Sequence, residues 1–376
     1  QERGEIVGRM LLLCLGVLFI GVGPCFGQEG WTSFRGNPRL TGVAKGMLPG
    51  QLEVLWTAQV EMGIESTAAV WGGMVYVGGL DGKLYAFDFD RGDLKWAYQT
   101  NDEVKSSPSV FDGMVYFGDG GGLFHAVDAQ TGKGVWTFQT DGEIISSANV
   151  DGDRVLFGSY DQFLYCLTRK DGSLLWKLET DGYVHGMPAV SDGSTLVAGC
   201  DGLLRVVGVV DGAEQKQVDL SDYVGASAAI RAGRAYVGTF GNQVLCVDLN
   251  EAEIVWRYEH PKRKFPYYAS PAVTADQVIV AGRDKMVHAL HPGTGEVLWT
   301  YSSGSRFEAS PVVVGNRVFV GTTGGKILAL DLQTGEVVWE FVTGSGFVAS
   351  PSVAGGRLVI GSTDGTVYCF GKKGVK

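Results

Sequence analysis

The sequence is poor in the groups that most metalloenzymes and nucleic-acid binders display. Only five of its 376 residues are histidine, and His125, His185, His260, His288 and His291 form no HExxH or related metal-binding spacing. The six cysteines include no CxxC and no adjacent pair, which removes the usual zinc and dithiol patterns. Basic residues are scattered and the formal charge is -10, so no nucleic-acid partner is expected. The apolar run Met10 to Val22 covers 13 residues, short of the roughly 20 needed to cross a bilayer. Proline is scarce too, at 11 residues.

What is abundant is glycine, with 57 residues beside an apolar fraction of 45 %. The apolar content excludes a disordered chain. Glycine without a three-residue period excludes collagen, and interior glycine weakens helices by about 1 kcal/mol each. The surplus must sit in turns, and there must be many of them.

The run Met10 to Val22 follows Arg3 and Arg9 and precedes the small-residue step Cys25-Phe26-Gly27. Residues 1–27 are therefore expected to be a secretory signal peptide cleaved after Gly27. Pro24 directly before Cys25 fits a lipidation site poorly, so no lipid anchor is expected. Gln1 at the first position and Glu2 and Glu5 in the n-region suggest a true start further upstream.

Tryptophan reveals the architecture. Trp56, Trp96, Trp136 and Trp176 are forty apart; a step of eighty to Trp256 skips a slot held by Lys216; Trp299 and Trp339 follow after 43 and forty. A period of forty with this much glycine marks a propeller or a solenoid. Each period holds a small-residue stretch (Ser106 to Val110), two alternating strands (Met114 to Gly118, Leu123 to Asp128), a TG turn and a third strand (Gly134 to Phe138). Four short strands per period make one propeller blade.

Proline placement supports this. One slot reads Ala68, Pro108, Ala148, Pro188, Ala228, Pro271, Pro311, Pro351, and proline is tolerated on an edge strand but not a central one. The slot therefore belongs to the innermost strand, facing an axial channel. The fold expected is all-β: an eight-bladed propeller of four-stranded blades over residues 51–376. The chain ends without a fourth strand in the last blade, so the N-terminal strand around Trp56 is expected to complete it. Residues 28–50 form a separate N-terminal segment that is either packed or mobile.

Repeated slots are expected to be structural. The seven Trp wedge between blades. Cys166, Cys246 and Cys369 share a slot with Ala86, Ala126, Ala289 and Ala329 and read as core fillers. His125 and His288 share one with Tyr85, Tyr165 and Tyr368 and read as blade packing.

The pattern Ala126-x-Asp128-x-x-Thr131-Gly132-Lys133-x-x-Trp136, repeated from Ala329 to Trp339, resembles the tryptophan-docking motif of pyrroloquinoline-quinone-type propellers. Trp31-x-x-Phe34-Arg35-Gly36-Asn37-x-x-x-Thr41-Gly42 is similar to the segment preceding many of them. Within that superfamily the chain resembles most the unadorned propellers of the outer-membrane β-barrel assembly machinery. That resemblance implies a non-enzymatic scaffold with protein partners, a membrane β-barrel or its assembly subunits, in the periplasm or at the periplasmic face of the outer membrane. It implies no catalytic residue and no cofactor. The alternatives are a quinoprotein dehydrogenase, which would need pyrroloquinoline quinone and calcium, and a propeller binding a small ligand or glycan. Asn149 is the one asparagine on an inner-strand stretch, and such a calcium site would call on it.

Positions that break the repeat are where a partner would be read. The slot before each inner strand runs Glu65, Lys105, Ile145, His185, Gly225, Tyr268, Glu308, Val348, and the slot two earlier includes Arg306. A three-residue insertion beside it, His260 to Tyr268, is the basic-aromatic cluster of an acidic chain. The contact residues expected are Lys262, Arg263, Lys264, Phe265, Tyr267, Tyr268, Arg306, Glu308, Lys105 and His185. Lys216 in place of Trp, followed by Glu251-Ala252 in place of TG, reads as repeat decay or as a looser sector open to strand addition.

Overall fold

The computed structural model describes residues 30–374; the expected signal peptide lies outside them. Alternating segments bounded by Gly and Asp fold as eight antiparallel sheets, seven of which follow chain order from the inside outward. The first is Ala69–Trp71, Met74–Gly79, Lys83–Asp88 and Leu94–Gln99. The eighth contains Ser352–Ala354, Arg357–Gly361 and Thr366–Gly371, and its outer strand is Glu53–Gln59 from the other end of the chain. The register Thr57 opposite Tyr368 and Ala58 opposite Val367 closes the ring as expected. Among the described residues no helix is long and apolar enough to cross a membrane.

Every Trp in the repeat does the same work. Its indole N–H donates to a backbone carbonyl of the next blade: Trp96 to Ala129 at 3.2 Å, Trp176 to Val209 at 3.0 Å, Trp299 to Leu332 at 2.9 Å. For six of the seven, Trp339 excepted, the indole face lies on the glycine of the turn before the outer strand of the next blade. A Cβ added to Gly132, Gly172 or Gly335 would sit 2.4–2.6 Å from the ring, so Trp and Gly require each other. In the fourth blade Lys216 Nζ takes over the donation, to Leu249 O at 2.9 Å and Asn250 O at 2.6 Å. Ala252 stands there in place of glycine at φ 56°, permitted because no indole presses on it. Lys216 and Ala252 thus stand where six other blades pair Trp with glycine, and a cavity of about 380 Å³ lies between blades four and five.

The N-terminal segment is packed. It crosses one end of the channel and supplies acceptors to the inner-strand edges of six blades. Val70, Val110, Val190, Ile230, Val273 and Val313 donate their N–H to the carbonyls of Trp31, Thr32, Pro38, Arg39, Thr41 and Gly42 at 2.6–2.9 Å. Val43–Ala44 then adds a parallel strand to blade seven. In blade three the Asn149 side chain satisfies its own strand, accepting from Val150 N, and donates to Pro38 O and Pro188 O. Its polar atoms are committed to structure rather than to a metal. The inner edges, which sequence logic left facing an open channel, are capped because an unpaired edge is costly.

The cysteines fall where the repeat puts them. Cys166, Cys246 and Cys369 are buried free thiols, which burial pushes up to about 12, 11 and 12. His125 and His288 are enclosed as well, their Nε2 atoms 3.0 Å from Asp119 Oδ2 and 2.7 Å from Asp284 Oδ2.

Candidate functional site

With one end crossed by the N-terminal segment, the channel becomes a cup. All eight residues of the variable slot, Glu65 through Val348, line its mouth, and Phe34 of the segment lies at its floor. Between them runs a ring of hydroxyls two residues further along each strand. Thr67 N donates to Ser107 Oγ at 3.0 Å, Ser107 N to Ser147 Oγ at 3.0 Å and Met187 N to Ser227 Oγ at 2.8 Å. Ser227, Ser270 and Ser310 donate in turn to Ser270, Ser310 and Ser350 at 2.9 Å, and Ser350 N returns to Thr67 Oγ1 at 3.1 Å. The small-residue stretch seen in the sequence is therefore an inter-blade latch, broken at Met187, which has no hydroxyl.

At the mouth His185 is held from both sides. Its Nδ1 is 2.6 Å from Tyr160 Oη and its Nε2 is 2.6 Å from Tyr268 Oη. Tyr268 reaches across blade five because that blade has Gly225 at the mouth, and a Cβ there would lie 2.9 Å from the Tyr268 ring. Arg283 grips Glu308 through two nitrogens at 2.8–3.1 Å and lies over the Tyr268 ring, 5.0 Å from its centroid. Lys105 is paired with Glu103.

Burial pushes the His185 imidazole down to about 4, so it is neutral at pH 7 and uses one nitrogen to donate and the other to accept. Between pH 6.5 and 4 the unfolded chain takes up a proton at His185 that the folded one refuses. Stability is expected to fall as pH drops through this window, by at most about 3 kcal/mol given the partial exposure of the ring. Urea midpoints between pH 7 and 4 for wild type and His185→Gln check this; equal slopes would refute it.

The insertion forms a second feature beside the cup. Arg263 and Phe265 join Arg306 and, from the turn after the second strand of blade six, Arg283 and Lys285, around a groove of about 570 Å³. Arg263 is fixed by donating to Asp284 O at 2.8 Å, and Phe265 is 49 % exposed. Lys262 and Lys264 lie outside the groove, and Lys264 pairs with Glu259 at 3.0 Å. Tyr267 needs correction as a contact residue: at 1 % exposure it is core, packed on His288. Arg283 and Lys285 were missed by sequence reasoning. The signal was there in part: Arg283-Asp284-Lys285 sets two basic residues in a turn that reads Asp-Gly in three other blades, and Lys285 takes φ 67° at a slot that glycine holds in five blades and Gln162 and Asn242 hold in the other two.

The cup does not fit a calcium–quinone pair. Calcium takes six to eight oxygen ligands, carboxylates foremost, yet the lining supplies two carboxylates, one of them clasped by Arg283. Among the described residues no three acidic, His or Cys side chains converge on a metal position.

Fold and site together define an eight-bladed β-propeller with a blind axial cup and a basic-aromatic groove on its rim. The chain belongs to the family of the outer membrane protein assembly factor BamB, whose model matches residues 49–150, 142–222, 201–306 and 283–375. Among solved structures, BamB from Moraxella catarrhalis is similar at 19 % identity and TM-score 0.75, over 86 % of this chain and 100 % of that one. Quinohemoprotein alcohol dehydrogenase from Comamonas testosteroni is similar at 15 % identity and TM-score 0.80, over 93 % of this chain and 82 % of that one. The computationally designed Ika8 protein shares the fold at 18 % identity and TM-score 0.76, over 85 % of this chain and 100 % of that one. At these identities the likenesses speak for the fold. No curated protein sequence matches the chain.

Proposed function

We propose that this propeller is a non-enzymatic scaffold of the exported compartment, supporting assembly of outer-membrane proteins through protein–protein contacts on its rim. The observation that carries the reading is the groove. It gathers Arg263, Arg283, Lys285 and Arg306 around Phe265 on a chain of net charge -10, and Arg and aromatic residues are the types enriched at interface centres. Pinned blades and a capped channel supply the rigid support that such a surface needs. The partner is a membrane β-barrel or a subunit of its assembly machinery.

Replacing Phe265 with a photo-crosslinking amino acid in intact cells is expected to capture an outer-membrane barrel or an assembly subunit, and Arg263→Glu with Arg306→Glu to lower that yield at least tenfold. Capture of neither class, with the protein folded and exported, would sink the reading. The dehydrogenase alternative is checked separately. Protein mixed with calcium and pyrroloquinoline quinone is expected to bind no chromophore and to reduce no dye with alcohols or sugars, and either signal would overturn the scaffold reading.

A further inference from the structure

The hydroxyl ring has a chemical property beyond its latching role. Each of the seven hydroxyls spends a lone pair on the N–H of the preceding blade and finds no acceptor for its own hydrogen among the described residues. A Ser or Thr hydroxyl carries one hydrogen to donate, so seven donors line one axial cavity of about 130 Å³. All seven residues are more than nine-tenths buried.

Arg35 supplies an independent observation at the same depth. It is 1 % exposed and donates through Nη2 to Pro271 O at 3.0 Å and Pro311 O at 2.6 Å, the residues directly after Ser270 and Ser310 of the ring. Its Nε and Nη1 have no partner, and among the described residues no carboxylate pairs with it. A buried cation without a counter-charge is costly, and burial pushes this guanidinium down to about 9. The cup is therefore lined by seven hydroxyls whose hydrogens are free to donate, and the Arg35 cation, which does not itself line it, lies beside Phe34 at its floor, 5.8 Å from that ring. At the mouth Glu308 is paired with Arg283 and Glu103 with Lys105, which leaves Glu65 and, in the slot of Glu103, Glu143 as the further acids near Lys105.

We propose that the axial cup is a receptor for a small oxyanion head, a carboxylate or a phosphate, bound by the hydroxyl ring with Arg35 beneath it as the counter-charge. The site is separate from the rim groove and does not rest on the scaffold reading.

Isothermal titration at constant ionic strength tests it with sodium acetate, sodium phosphate and, as a neutral control, glucose. Acetate or phosphate is expected to bind in the millimolar range and glucose not at all. Preference for acetate would identify a carboxylate end as the natural guest, and preference for phosphate a phosphoryl group. Val348→Trp, which fills the mouth without touching the ring, is expected to abolish binding, and Ser227→Ala to weaken it roughly fivefold. Should either variant misfold, bromide soaked into crystals of the wild type decides, with an anomalous peak expected on the axis at the level of the ring. Glucose binding in place of the anions, anion binding that survives Val348→Trp in folded protein, or no axial bromide peak would each overturn the proposal.

Discussion

A chain lacking residues 30–44 is expected to melt about 10 °C lower than the full protein. Six inner-strand N–H groups would lose their acceptors, at about 1 kcal/mol each, and a loss of roughly 6 kcal/mol in a chain this size corresponds to a shift of that order. Trp31 and Leu40, both buried, would go as well. Amide exchange gives the specific readout: Val70, Val110, Val190, Ile230, Val273 and Val313 should lose protection while second-strand amides such as Val115 and Val155 keep theirs. An unchanged melting temperature with six protected amides would mean that the segment merely rests on the ring.

Lys216→Trp alone is expected to destabilise the protein, although it restores the repeat. The indole would meet the Ala252 methyl where the intact slots have glycine, and at those slots a Cβ would stand 2.4–2.7 Å from the ring. Overpacking of this kind costs about 1–3 kcal/mol. With Ala252→Gly in the same chain the indole can seat, filling the cavity between blades four and five. The pair is then expected to exceed wild-type stability by roughly 2 kcal/mol, because a buried Trp covers about 150–250 Å². A double-mutant cycle by chemical denaturation should return a coupling of about 3 kcal/mol or more. Additive effects would show that the glycine of the TG turn and the Trp are not interdependent, and a gain from Lys216→Trp alone would restore the simple picture of repeat decay.

Much of the site was legible because variation stands out against a strict period. The slot from Glu65 to Val348 was readable as a channel mouth from its lack of uniformity, and all eight residues line the cup. The insertion was readable as a surface, and Arg263 and Phe265 do face the groove. Adjacent residues were harder to separate: Tyr267 and Tyr268 are one step apart, yet one is core and the other bridges to His185. In a segment lengthened by three residues the alternation that assigns faces is lost. Arg283 and Lys285 were missed because they reach the groove from another loop, some twenty residues on in the chain.

By itself the sequence determined the number of blades, their strand order and the closure between Trp56 and the last blade. These features repeat every forty residues and are carried by local alternation, turn glycines and spacing, all of which act over short stretches of chain. Only the tertiary structure decided what fills the axis. The bonds that make a cup out of a channel join Arg35 to Pro311, Pro38 to Asn149 and Thr67 to Ser350. Those of Arg35 and Pro38 link residues more than a hundred positions apart through an irregular segment that has no period, and no local preference encodes which carbonyl will meet which donor, whereas Thr67 and Ser350 hold one repeated slot at the two ends of the ring.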